Sequence, residues 1–159
     1  MSFMEVAIRE AQAQDAEAIV DVWKRSIIEL CAKDHHDDPA ILNAWLRNKT
    51  PQTVLRWLTS GENAVLVAVK GNSIVGVGFV RRSGELEVCY VAPEATARGV
   101  GTKLLEALEQ AAKQWGVPEI SLKSTATARR FYHRRGYTES SGPVVMFGGL
   151  NAYPLRKAL

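Results

Sequence analysis

The 159-residue chain has little cysteine and little histidine. Its two cysteines, Cys31 and Cys89, stand far apart, which excludes a disulfide framework and makes a reducing cytoplasm the expected compartment. Of the three histidines, His35 and His36 are adjacent and so point apart. Asp34, Asp37 and Asp38 around them suit turn and capping roles, so no metal site is expected. No apolar run approaches the length of a membrane helix. The opening MSFMEVAIRE has no basic start followed by an apolar stretch, so no signal peptide is expected either. Repeats, low-complexity segments and linkers are also lacking, which makes one domain over residues 1–159 the expectation. No sign of charge dominates, the net being +3, but the balance is uneven. From Lys123 onward seven Lys/Arg face a single acid, Glu139. Such a basic last third suits nucleic acid or the phosphates of a nucleotide cofactor. No helix-turn-helix, RNA-binding or zinc motif accompanies it, which ranks nucleic acid last.

What is present is an ordinary globular composition, 47% hydrophobic and 23% charged. Val6 to Arg9 alternates as a first strand should. Asp15 reads as a cap, and Ala18, Ile19, Val22, Trp23, Ser26, Ile27 and Leu30 recur at helical spacing up to about Cys31. Lys33 to Asp38 reads as a polar loop. Asp38-Pro39 and Thr50-Pro51 are each a cap followed by proline at the first helical position, opening short helices through Leu46 and Leu58. From Ala64 the period changes to that of strands. Ala64–Lys70, Ser73–Arg82 and Glu85–Val91, separated by Gly71-Asn72 and Ser83-Gly84, predict an antiparallel meander. A helix from Gly99 to Trp115, a strand from Ile120 to Lys123 and a helix from Thr127 to Arg135 follow. Thr138–Phe147 and Asn151–Leu155 read as a closing hairpin. This order predicts a mixed α/β (α+β) sheet with helices on its faces.

The stretch from Val91 to Gln110, VAPEATARGVGTKLLEALEQ, carries the chemistry. A strand runs through Pro93 and a polar turn into Arg98-Gly99-Val100-Gly101-Thr102, and a long helix starts there. Glycines let a ligand approach the backbone, and the first turn of a helix offers unpartnered N–H groups and a positive dipole end. Together these make an anion site, most often for phosphate, with Arg98 as a cation beside it. A Walker A loop is absent. The third glycine of a dinucleotide turn is replaced by Leu104, and Glu119 fits poorly as its acidic partner. A second stretch, Ala128-Arg129-Arg130-Phe131-Tyr132-His133-Arg134-Arg135-Gly136-Tyr137, lies 27 to 36 residues beyond Gly101.

These two stretches resemble the GNAT acyltransferases. The first matches that family's Gln/Arg-x-x-Gly-x-Gly/Ala loop, with Thr96 where Gln or Arg is usual. The second matches Asn-x-x-Ala-x-x-Phe-Tyr-x-x-x-Gly-Phe/Tyr, with Thr125 at the Asn position. The resemblance implies a mostly antiparallel sheet splayed between the fourth and fifth strands. It implies acetyl-CoA in that splay as cosubstrate, with no metal, and direct transfer to an amine acceptor; a homodimer is one arrangement it allows. It places the pyrophosphate on the amides of Gly99, Val100, Gly101 and Thr102, and the thioester carbonyl against the Cys89 to Val91 backbone. Thr125 and Ala128 fall on its cofactor-binding positions. Tyr132 takes the general-acid position that protonates the leaving thiolate. A carboxylate must take the proton of the amine. Glu85 and Glu87 alternate on their strand and are expected to face one way with Cys89; the alternative is a solvated sheet face. Cys89 as a nucleophile lacks His or Asn support, and Arg129, Arg130, Arg134 and Arg135 are a solvated face or a contact for the cofactor's 3′-phosphate. Trp23, Trp45 and Trp57 line an acceptor pocket or are core. A second reading is an acyl-CoA-binding regulator that has lost catalysis.

Overall fold

A computed structural model describes residues 5–159. Val6–Glu10 forms β1, Asn63–Lys70 β2, Ser73–Arg81 β3 and Glu85–Val91 β4, and each pairs antiparallel with the next. β5, Glu119–Ser124, lies parallel to β4, and β8, Leu150–Ala158, lies antiparallel to β5. The expected meander and mixed sheet are therefore present. The parallel step is made by α5, Val100–Gln114, which crosses from the end of β4 to the start of β5.

Side chains alternate across the sheet, so its two faces carry separate cores. Val65, Val67, Val77, Phe79 and Val88 face α1 (Ala16–Leu30) and α4 (Pro51–Thr59). Val80, Leu86, Ile120, Leu122 and Leu155 face α5 through Leu104, Leu105 and Leu108. Leu104, Leu105 and Leu108 are each at most 1% exposed, and such burial is worth about 1.5–3 kcal/mol apiece. Gly78 is what lets α5 lie so close, because a Cβ there would stand 2.4 Å from Leu108 Cδ1.

Both proline-marked helices start where their caps predict. Asp38 accepts from Ala40 N–H at 2.9 Å to open α3, Pro39–Leu46, and Thr50 accepts from Thr53 N–H at 3.2 Å to open α4. Asp15 stands at the N-cap of α1 but makes no side-chain cap bond to that helix, and instead closes a capping box on the turn before it. A 3₁₀ turn, Ala13–Asp15, precedes α1, and the Asp15 carboxylate accepts from Arg9 and from Gln12 N–H, both at 2.7 Å.

Three expectations are corrected. Lys33 to Asp38 is not a simple polar loop, since Ala32–His35 forms a helical turn, α2, that buries Asp34 and His35. His35 Nδ1 accepts from Asp37 N–H at 2.9 Å, which leaves Nε2–H to donate to Ile27 O and Ile28 O at 3.1 and 3.2 Å. That imidazole pins α2 to the end of α1. The final hairpin is also broken. The long arm divides into β6, Thr138–Glu139, and β7, Val144–Met146, and both pair with β8. Gly142-Pro143 separates the two pieces, and proline cannot donate to a ladder. The expected helix from Thr127 shrinks to α6, Arg129–His133.

Candidate active site

The sheet opens in its middle. β4 and β5 share only the pairs Glu85↔Ser121 and Leu86↔Leu122, and beyond them the strands diverge. Ala92 N–H is donated to Val75 O on β3. Because backbone directions alternate along a strand, the N–H groups of Val91 and Cys89 turn toward the open side. A cavity of about 560 Å³ fills one side of this gap. A second, also about 560 Å³, fills the other. Leu86, Glu87, Val88, Tyr90, Lys123, Ser124 and Thr125 line both, so the cavities meet at the splay.

The first cavity gathers most of the residues expected to hold a cofactor. Gly99, Val100, Gly101 and Thr102 line it at the start of α5. Gly99 precedes the helix at φ 79°, a left-handed conformation that glycine adopts without cost. Cys89 and Val91 line it from β4, and Thr125, Ala128 and Tyr132 from the β5–α6 segment. Two of the hydroxyls are engaged within the protein. Thr102 Oγ1 accepts from Arg135, and Thr125 Oγ1 accepts from Ala128 N–H at 3.1 Å.

Arg98 stands elsewhere. Ala97 and Gly99 on either side both take positive φ, and the turn they make sends Arg98 into a separate hollow with Glu5, Lys70 and Lys103. The cations that line the first cavity are instead Lys123, Arg130, Arg134 and Arg135. Arg135 lies over the Phe131 ring, 3.8 Å from its centre. Arg129 turns away, pairing with Glu139 at 2.7 Å and stacking on Tyr153.

Tyr132 is 7% exposed, with its ring against Phe131 and Tyr137. Burial raises its hydroxyl well above the ordinary phenol range, and Cys89, Tyr90 and Tyr137 add to the shift. Tyr132 therefore carries its proton throughout the physiological range. Burial also pushes the Cys89 thiol up to about 12, so Cys89 is a protonated thiol and no nucleophile.

The two carboxylates do not share a face with Cys89. The ladder between β3 and β4 slips: Phe79 faces Val88 while Val80 faces Leu86, leaving Glu87 as the extra residue of a bulge. The slip puts Leu86 and Cys89, three residues apart, on the α5 side. Glu85 and Glu87 line the second cavity, and Glu87 accepts from Arg81 Nε at 2.9 Å. Glu85 does not reach the first cavity, whereas Glu87 lines both. Strict alternation, as read from sequence, could not show a bulge.

Two residues at or beside the site have roles that the sequence did not indicate. Asp34 accepts from Ala126 N–H at 2.6 Å and from the Thr127 hydroxyl at 2.5 Å, which ties α2 to the loop between β5 and α6. Lys49 lies buried in the second cavity beside Trp23, Trp45 and Trp57. Neither residue belongs to a motif, and an acid in a polar run carries no signal of where it will dock. Among the described residues no group of three or more metal-type ligands converges, and no helix is long and apolar enough to cross a membrane.

Comparison with known proteins agrees with this geometry. The family model described as an acetyltransferase (GNAT) domain matches residues 31–159. A GCN5-related N-acetyltransferase structure from Rhodopseudomonas palustris superposes with a TM-score of 0.86 at 25% identity, covering 100% of this chain and 99% of that one. The paiA N-acetyltransferase of Thermoplasma acidophilum, solved with coenzyme A, gives 0.81 at 19% identity over 98% and 100%. The yncA protein of Salmonella typhimurium, solved with its cofactor acetyl-CoA, gives 0.70 at 22% over 98% and 94%. At these identities the last two speak for the fold alone. No curated protein sequence matches.

Proposed function

This chain belongs to the GNAT acetyltransferase family, and from that premise we propose that it transfers the acetyl group of acetyl-CoA directly to a primary amine. The observation that carries the proposal is the meeting of two cavities at the β4/β5 splay. One cavity has the glycine-flanked start of α5 and three arginines, which suit a pyrophosphate and a nucleotide phosphate. The other, lined by residues of α1, α3, α4 and the β7–β8 turn, leaves room for the acceptor.

Each step of the transfer has a candidate residue. The thioester carbonyl accepts from the Val91 or Cys89 N–H on the open edge of β4, which polarises it and stabilises the oxyanion as the amine attacks. The amine nitrogen forms the new C–N bond and gives up a proton. Glu87 takes it, since it lines both cavities while Glu85 is confined to the acceptor side. The C–S bond then breaks, and the thiolate takes the Tyr132 proton. Burial makes this phenol a weaker acid than a free one, and the burial that pushes the Cys89 thiol up would act in the same direction on the departing thiol. Cytoplasmic residence is supported by both cysteines being free.

Calorimetric titration of the purified protein with acetyl-CoA, CoA and NADH tests the cofactor, and a panel of amines tests transfer. Micromolar binding of the CoA species together with acetylation of an amine is expected. Binding of NADH instead would end the proposal, and binding of acetyl-CoA with no transfer to any amine would leave a CoA-binding protein without this activity.

A further inference from the structure

The second cavity contains a buried ammonium that the transfer chemistry above does not use. Lys49 is 6% exposed. Its Nζ donates to Asn48 Oδ1 at 2.8 Å and lies 4.7 Å from the centre of the Trp23 ring and 5.5 Å from that of Phe147. No carboxylate among the described residues forms an ion pair with it: Glu87, on the same cavity wall, is taken by Arg81. An ammonium out of water keeps its charge only if something answers that charge. Asn48 and two ring faces answer it in part, and burial still brings Lys49 down to about 8, so that it is charged at neutral pH.

The surroundings lean the same way. Lys49, Arg56, Arg81 and Lys123 line this cavity against two carboxylates, Glu85 and Glu87. Arg56 donates to Thr53 Oγ1 at 3.1 Å and has no acid partner among the described residues. A purely cationic acceptor, such as a polyamine, would enter a cavity with an excess of positive charge. Trp23, Trp45, Trp57 and Phe147 supply an aromatic part of its wall.

We propose that the acceptor is a primary amine that also bears a carboxylate and an apolar body, an amino acid or a compound of that type, with its carboxylate seated on Lys49. The amine end then reaches the splay where Glu87 lies, and the apolar body rests on the tryptophans. The proposal builds on the acetyl-transfer reading and adds the substrate class. Lys49 is the residue that selects it.

Matched pairs differing only in the carboxylate test it: L-phenylalanine against L-phenylalaninamide, and L-leucine against L-leucinamide, with spermidine as the cationic control. Binding is followed by the fluorescence of the pocket tryptophans in the presence of CoA, and transfer by release of free CoA from acetyl-CoA. The acids should bind at least about tenfold more tightly than the amides, roughly what one well-placed charge contact contributes. Lys49→Met, close to lysine in length and free of the buried charge, should level acid and amide, and Lys49→Arg should restore part of the preference. Equal binding of acid and amide, tighter binding of the amides or of spermidine, or no binding of either acid overturns the proposal. So does a Lys49→Met variant that keeps the wild-type preference. The two readings fail separately. Spermidine acetylated without any preference for the acids sinks this inference and leaves acetyl transfer standing. Acids bound selectively but never acetylated sink acetyl transfer and leave the carboxylate site.

Discussion

Replacing Asp34 by alanine would separate two parts of the molecule that 92 residues of chain divide. The carboxylate is 6% exposed and accepts three hydrogen bonds: from Ala126 N–H at 2.6 Å, Thr127 N–H at 3.4 Å and the Thr127 hydroxyl at 2.5 Å. A hydrogen bond to a charged acceptor is worth about 1.5–3 kcal/mol, and stranding its buried donors adds a desolvation cost. The 3.4 Å contact is weak, and the hydroxyl can turn elsewhere, so the sum is dominated by Ala126 N–H. A loss of about 3 kcal/mol is expected, at the upper end of ordinary single substitutions. Urea unfolding measures it as a lower midpoint with an unchanged slope. The same loop carries Thr125 and Ala128 into the first cavity, so the affinity for acetyl-CoA should fall by about tenfold or more. Asp34→Asn should recover little. An amide keeps one acceptor oxygen but turns NH₂ donors toward a loop that itself presents donors. A loss below about 1 kcal/mol for Asp34→Ala, or unchanged acetyl-CoA affinity, would refute the argument that this carboxylate holds the loop.

Tyr132→Phe should keep acetyl-CoA affinity and lower turnover by about tenfold or more, since only the proton donor is removed; unchanged steady-state turnover would remove Tyr132 as the acid. Gly101→Glu should abolish acetyl-CoA binding in calorimetry, because a Cβ there stands 3.3 Å from Phe131 Cζ and the added carboxylate faces the phosphates; normal affinity would overturn the loop assignment. Lys49 makes stability depend on pH. Its folded value of about 8 lies below the unfolded 10.5, so both states bind the proton below pH 8 and only the unfolded state binds it between the two values. Stability should therefore rise from about pH 8 to 10.5 in wild type. The groups facing Lys49 are Glu87, which holds its charge up, and Asn48, Trp23 and Phe147. Lys49→Met should remove that rise and stabilise the protein near pH 7 by about 1–3 kcal/mol. Denaturant titrations across this range check both, and parallel pH curves for the two proteins would exclude the buried charge as the cause.

Local residue patterns account for most of the elements and for the glycine turn that opens α5. Cap-and-proline pairs at Asp38 and Thr50, the change of period at Ala64 and the glycine turn at Gly99 are local signals, because each depends on dihedral preferences or side-chain spacing within a few residues. They hold in the folded chain. Other features were decided only by tertiary structure, because they join residues far apart or turn on a defect in a ladder. The bulge at Glu87 moves Cys89 to the face opposite the carboxylates, and no pattern of alternation announces an extra residue. Arg98 enters a separate hollow because two positive-φ residues turn the chain around it. Asp34 finds its partners across 92 residues, and Lys49 becomes a pocket residue only once α1 and the β7–β8 turn bring Trp23 and Phe147 around it. Local preferences fix backbone shape. Which buried charge meets which donor, and which it leaves unanswered, follows from packing alone.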